Sequence, residues 1–143
     1  ADLVVGALYG AVAVGLGAFA AHLGEASLAA TDSESVRTAV MYQLFHAAVM
    51  VGMGGLKDHA VPALLGASAW CFALGVLLFS GSLYTLALGA PPETVWVTPV
   101  GGFLLIAGWL LLAVTAARAA LAIWKGSVAR PSTWGCIVPA ALE

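Results

Sequence analysis

The sequence predicts an all-α integral membrane bundle of four antiparallel transmembrane helices with a C-terminal interfacial extension. Four stretches without a formal charge carry this reading: residues 3–24, 38–56, 60–92 and 94–117, with short polar breaks between them. A bilayer core takes about 20 apolar residues per helical span, and a chain of 143 residues has no soluble core able to bury four such stretches. Composition agrees, with 62% hydrophobic and 8% charged residues, where an ordinary domain carries about 25% charged. The mean hydropathy is +1.03.

The first span, residues 3–21, places Gly6, Gly10, Ala13 and Gly17 on one stripe. Small residues at spacings of three and four let helix backbones approach closely in lipid. Packing within the same chain is the simpler use of this stripe, and dimerisation is the alternative. The segment has no basic region ahead of it, and its apolar run exceeds that of a signal peptide, so it reads as a retained helix.

The first connection, residues 23–37, is short and acidic, with Glu25, Asp32 and Glu34. Thr31 and Glu34 have the spacing of a capping box, which starts the second helix near Asp32 and carries it to Leu56. Lys57, Asp58 and His59 form a polar break, and Pro62 suits the first turn of the third helix. That helix ends at Gly89, Ala90, Pro91 and Pro92. Residues 95–97 read as an interfacial link holding Trp96. Pro99 starts the fourth helix, which runs at least to Ala117. Residues 1–118 are thus the transmembrane domain and residues 119–143 an interfacial or partner-binding tail. Residues 119–124 extend the fourth helix, and Gly126 and Pro131 break it.

Lys57, Arg118, Lys125 and Arg130 lie on one side of this topology, and Arg37 alone lies on the other. The excess of Lys and Arg marks the cytoplasmic side, so both termini are expected there, or on the matrix side in an organelle. A net charge of −2 with five Lys and Arg leaves no basic footprint for nucleic acid and no cluster for anionic lipid. Cys71 and Cys136 give no disulfide framework, and mid-span Cys71 reads as a small buried hydrophobe.

Polar groups within spans are the first place to seek function. Here they are His22, Tyr42, Gln43, His46, Ser68, Ser80, Ser82, Tyr84, Thr98 and Thr115. At 1.5 Å per residue His46 lies about 10–12 Å below Thr38, and because the helices alternate in direction most of these groups fall in the outer leaflet. Tyr42 and His46, and Ser80 and Tyr84, share faces at i,i+4. One polar layer joining the second and third spans, topped by His22 and Thr98, is expected, with Gln43, His46, Ser80 and Tyr84 facing the interior. Interhelical hydrogen bonding is the leading use of this layer. A ligand site is the rival, with His22 and His46 as two nitrogens for a metal, a haem or another pigment. No acidic residue lies in any span, no carboxylate or thiolate completes a zinc set, and Ser80 and Ser82 lack an acidic partner for a triad. The expectation is no enzyme, no metal and no cofactor.

Four strings occur in order across residues 3–118: Gly17-Ala-Phe-Ala-Ala-His22, Tyr42-Gln-Leu-Phe-His-Ala47, Phe79-Ser-Gly-Ser-Leu-Tyr84, and Thr98-Pro-Val-Gly-Gly102 with Gly108-Trp109. Together they resemble the small four-helix membrane proteins of domain-of-unknown-function family 423, which includes animal transmembrane protein 256. The resemblance implies a multi-pass protein of bacterial inner membranes or of mitochondrial membranes, and it implies no activity. The small glycines Gly6, Gly10, Gly17, Gly101 and Gly108 are expected at helix contacts.

The expected function is a non-catalytic accessory or structural subunit of a larger membrane complex, respiratory or photosynthetic in type, with lipids and other membrane subunits as partners. The alternative is a small-molecule binding or transport protein built on the outer-leaflet polar layer. In the tail, Trp124, Lys125, Arg130 and Trp134 suit an interface. Ile137, Val138 and Leu142 need apolar cover, which another chain or the bilayer surface would supply.

Overall fold

In water a helix buries its large side chains and exposes small or polar ones. Here the order is reversed along the first helix. The computed structural model, which describes residues 2–27, 30–54 and 62–129, begins with α1 over Asp2–Ser27. Ala13 is fully buried, whereas Leu8 is 60% exposed. Small inside and large outside is the pattern of a helix whose solvent is hydrocarbon.

α2 spans Ala30–Met53, α3 Pro62–Ala87 and α4 Val97–Ala129, with a 3₁₀ turn over Pro92–Trp96 leading into α4. Among the described residues there is no strand. α1 packs on α2, α2 on α3, and α3 on α4, while α1 touches α3 lightly. Neighbours are antiparallel. Gly6 lies against Met50 and Gly17 against Val40, Ser80 meets Ala39, and Ser68 meets Gly108. The core is centred on α3, where Leu65, Phe72 and Val76 pack with Met50 and Met53 of α2 and Leu105 of α4.

Three helical segments are long and apolar enough to cross a bilayer: Leu3–His22, Pro62–Ala87 and Pro92–Lys125. α2 opens with Asp32, Glu34 and Arg37, which place its first turns at the membrane surface, and its uncharged remainder packs between α1 and α3. The arrangement is a four-helix membrane bundle.

Several boundaries depart from the sequence reading. Residues 23–37, expected as a connection, are mostly helical, because α1 runs to Ser27 and α2 starts at Ala30. No Gly or Pro lies between Glu25 and Val51, so the end of α1 and the start of α2 stay helical past the apolar stretches. The fourth helix starts at Val97, two residues before Pro99, whose missing N–H costs nothing in a first turn. α4 passes through Arg118 and Gly126 to Ala129 without a break; a single Gly costs about 1 kcal/mol in a helix and does not end one. The third helix does close where expected. Gly89 adopts φ +86°, Ala90 N–H bonds to Thr85 C=O and Gly89 N–H to Leu86 C=O, a Schellman cap that needs a residue free of Cβ strain. The Lys57 break and the tail positions Trp134, Ile137, Val138 and Leu142 lie outside the described residues.

Candidate functional site

The α3–α4 contact is the tightest surface near the polar groups. A Cβ at Gly101 would sit 2.8 Å from the Phe79 Cα and 2.9 Å from the Gly75 carbonyl oxygen. At Gly108 it would meet the Phe72 ring at 2.8 Å, and at Gly75 the Leu105 side chain at 2.7 Å. These glycines bring the two backbones together, so short hydroxyl side chains can reach across. Ser68 Oγ donates to the Gly108 carbonyl at 2.8 Å, and Ser82 Oγ and Thr98 Oγ1 are 2.7 Å apart. On the other side, Gly6 abuts Met50, Gly17 abuts Val40, and Gly10 has only Ala47 nearby, at 3.9 Å. The stripe on α1 therefore faces α2 of its own chain.

Gln43 joins three helices. Its Nε2 donates to the Tyr9 carbonyl of α1 at 2.9 Å, and its Oε1 accepts from the Tyr84 hydroxyl of α3 at 3.0 Å. Side chains on a helix tilt toward its N-terminus. In antiparallel helices Gln43 and Tyr84 therefore lean toward each other, at the level of the Ala39–Ser80 contact. Tyr9 adds a third link, its hydroxyl donating to the Ala73 carbonyl at 2.9 Å. Ser80 Oγ donates to the Ala39 carbonyl at 2.9 Å. Gln43, His46 and Ser80 are buried and Tyr84 is half-buried. Among the described residues no buried side-chain nitrogen or oxygen lacks a partner, as a hydrocarbon solvent demands.

His46 is turned toward α4. Its Nδ1 is 2.8 Å from the Tyr42 carbonyl, and since a carbonyl only accepts, Nδ1 carries the proton. Nε2 then has the lone pair, and it accepts from the Trp109 indole N–H at 3.2 Å. The network thus assigns a neutral Nδ1–H ring. Phe45 and Trp109 meet the ring on its edges at 5.5 and 6.1 Å, and Phe72 lies 5.4 Å away.

Gln43, Tyr84 and Ser80 join α2 to α3, Ser82 and Thr98 join α3 to α4, Tyr9 joins α1 to α3, and His46 joins α2 to α4. His22 joins none of them and is exposed. Gly17 faces Val40, so by antiparallel register His22 is level with Ser35. That is 46 − 35 = 11 residues from His46, about 16 Å at 1.5 Å per residue, too far for a shared ligand. Nε2 of His46 is taken up by the Trp109 indole N–H. Among the described residues no three His, Cys, Asp or Glu side chains come together as a metal set. Trp124 is exposed near the end of α4.

Two participants were not singled out from the sequence as site residues, Tyr9 and Trp109. A phenol and an indole at span depth are polar groups that must find partners, and that signal was available for both.

α2 and α4 approach chiefly through side chains, and a groove of about 520 Å³ lies between them, lined by Met41, Tyr42, Phe45, His46, Ile106 and Trp109 among others, with Phe79 of α3 also on its wall. Tyr42 is 38% exposed at this groove.

Comparison with known proteins places the chain. A family model described as "Protein of unknown function (DUF423)" matches residues 16–102. The chain belongs to this family. A UPF0382 membrane protein of Haemophilus influenzae is 44% identical over 113 residues, 78% of this chain and 89% of the relative. The UPF0382 inner membrane protein YgdD of Escherichia coli K12 is 38% identical over 116 residues, 81% of this chain and 88% of the relative. A UPF0382 membrane protein of Staphylococcus haemolyticus is 37% identical over 113 residues, 79% and 92% of the two chains. No solved structure matches the chain. Like its family, then, this is an integral membrane protein. The family match covers the end of α1, α2, α3 and the start of α4, and so includes Gln43, His46, Ser80, Ser82, Tyr84 and Thr98.

Proposed function

We propose that this member of the family is a non-catalytic accessory subunit of a larger complex in a bacterial inner membrane, with no bound cofactor of its own. The supporting observation is the use made of its intramembrane polar groups. Gln43, Ser68, Ser80, Ser82, Tyr84 and His46 each bond to a neighbouring helix, so they fix relative helix positions. The outward surface is large and apolar, with Leu8 and Val12 of α1 and Phe103 and Leu110 of α4 exposed, which suits packing against other membrane subunits. In this reading both termini lie on one side, and the excess of Lys and Arg supports the cytoplasm as that side. The residues beyond Arg118 serve as the partner-binding segment in this reading.

Native electrophoresis after mild solubilisation tests it, combined with photo-crosslinking from Leu8 and Phe103. The expected result is an assembly larger than any oligomer of this chain, with crosslinks to one reproducible partner subunit. A lone oligomer carrying a bound small molecule would instead support the second reading, a ligand site, whose one favouring observation is the α2–α4 groove beside His46 and Trp109.

A further inference from the structure

The groove between α2 and α4 does not stand alone. Along α2 it meets a second, more polar recess lined by Ser33, Glu34, Arg37, Thr38 and Met41. Met41 lines both. Glu34, Met41 and Phe45 follow one another at seven and four residues, so they form a row along one face of α2. The row runs from charged to apolar: Glu34 and Arg37 are exposed at its upper end, and the aromatic groove is its lower end.

The spacing matches the layers of a bilayer. Arg37 to Met41 is one helical turn, about 6 Å at 1.5 Å per residue. The headgroup region on each side is about 5–7 Å thick, given a core of about 30 Å and a total of about 40–45 Å. With the charged pair in the headgroup layer, the mouth of the groove therefore falls at the top of the hydrocarbon. A groove at that depth is not left void, because its lining would lose contact atoms, and apolar walls do not hold water. Its volume of about 520 Å³ equals about one turn of an α-helix, taking a diameter of 10–12 Å and a pitch of 5.4 Å. A partner helix would fill it with a single turn, whereas one flexible chain entering from above can follow its length.

We propose that this row is a binding site for one zwitterionic phospholipid. The phosphate sits on the Arg37 guanidinium, the head ammonium on the Glu34 carboxylate, and one acyl chain lies in the groove between Phe45 and Ile106. Among the described residues no ion pair engages Glu34 or Arg37, so a cation and an anion are presented three residues apart. That arrangement complements a head carrying both charges. It disfavours a purely anionic head, since Glu34 would repel it. The Tyr42 hydroxyl, at the groove and more than one turn below Arg37 along α2, is a donor suited to the ester carbonyl of the same lipid. This site is independent of the accessory-subunit reading and survives if no partner complex is found.

Native mass spectrometry of the full chain tests it, using chain-matched phosphatidylethanolamine and phosphatidylglycerol at equal mole fraction. One retained phosphatidylethanolamine is expected, favoured over phosphatidylglycerol. Arg37→Gln should weaken retention of both lipids about two- to fivefold, the range of an exposed ion pair. Glu34→Gln should abolish the preference while retaining binding. Gly102→Leu should fill the groove and lose the adduct. A Cβ at Gly102 meets only the Phe79 ring, at 3.9 Å, so the branch point of the new side chain fits, and circular dichroism checks that the variant is folded. Equal retention of the two lipids by the native chain overturns the head assignment. An undiminished adduct in a folded Gly102→Leu protein overturns the groove assignment.

Discussion

The α1–α2 and α3–α4 pairs are both antiparallel and both use glycine at the contact, yet an added methyl group meets different things in each. At Gly101 it meets the Phe79 backbone, which cannot rotate aside; at Gly17 it meets one Val40 methyl at 3.2 Å, and at Gly10 only the Ala47 Cβ at 3.9 Å. Gly6 is the one tight point on α1, with the Ala47 carbonyl oxygen and Met50 Cβ both at 3.0 Å. The hydrogen bonds follow the same division. α3 and α4 approach closely enough for serine to cross, whereas α1 and α2 are joined by the longer Gln43. Close backbone contact thus makes short polar side chains effective, and a looser contact calls for long ones.

The strongest test of this difference is Gly101→Ala. Relief of the clash requires α3 and α4 to separate, which also parts Ser82 from Thr98. A loss of about 1–3 kcal/mol is expected, the usual range for overpacking, read by reversible unfolding in mixed micelles. A loss no greater than that of Gly10→Ala would erase the distinction between the two pairs.

Gln43→Leu comes next. It removes the Tyr9 and Tyr84 bonds together and leaves the Tyr84 hydroxyl without its partner. Interhelical bonds in membranes average about 0.6 kcal/mol, with a maximum near 1.7, so a loss of about 1–2 kcal/mol is expected in the same assay. Tyr84→Phe in the Gln43→Leu background should then add little further loss. Additive effects would show that the two side chains are not coupled.

Trp109→Phe keeps an aromatic ring but removes the donor to His46 Nε2. A loss near 0.6 kcal/mol is expected, and the clearer readout is spectroscopic. The ¹⁵N resonance of Nε2 should move, while Nδ1, still bonded to the Tyr42 carbonyl, should not. A shift confined to Nδ1 would reverse the tautomer. The smallest effect is Gly10→Ala, within about 0.5 kcal/mol of the native chain, because the methyl makes only an ordinary contact with the Ala47 Cβ at 3.9 Å.

How much was legible in advance depended on whether a residue's partner lies in its own segment. Gly89 marked the end of α3 because its cap is made with residues of the same turn. Gly126 misled, because a lone glycine only weakens a helix and α4 continues through it. Depth counting puts His22 at the surface and His46 below it in the same leaflet, but does not say which way each ring points; only the bundle turns His46 toward Trp109 and leaves His22 exposed.

The uncharged stretches by themselves determined the solvent, the helical class and the inward-facing Gln43 and Ser80, since hydrocarbon admits only internally satisfied backbones and penalises any unpaired polar group. They also pointed to the family. Only the tertiary structure decided which helices each polar group joins, that His22 joins none of them, that Trp109 occupies His46, and that α2 and α4 stand apart over a groove. Rotation about a helix axis sets those outcomes, and it follows from where glycine lets neighbouring backbones touch, a property of pairs of helices that one chain segment does not carry.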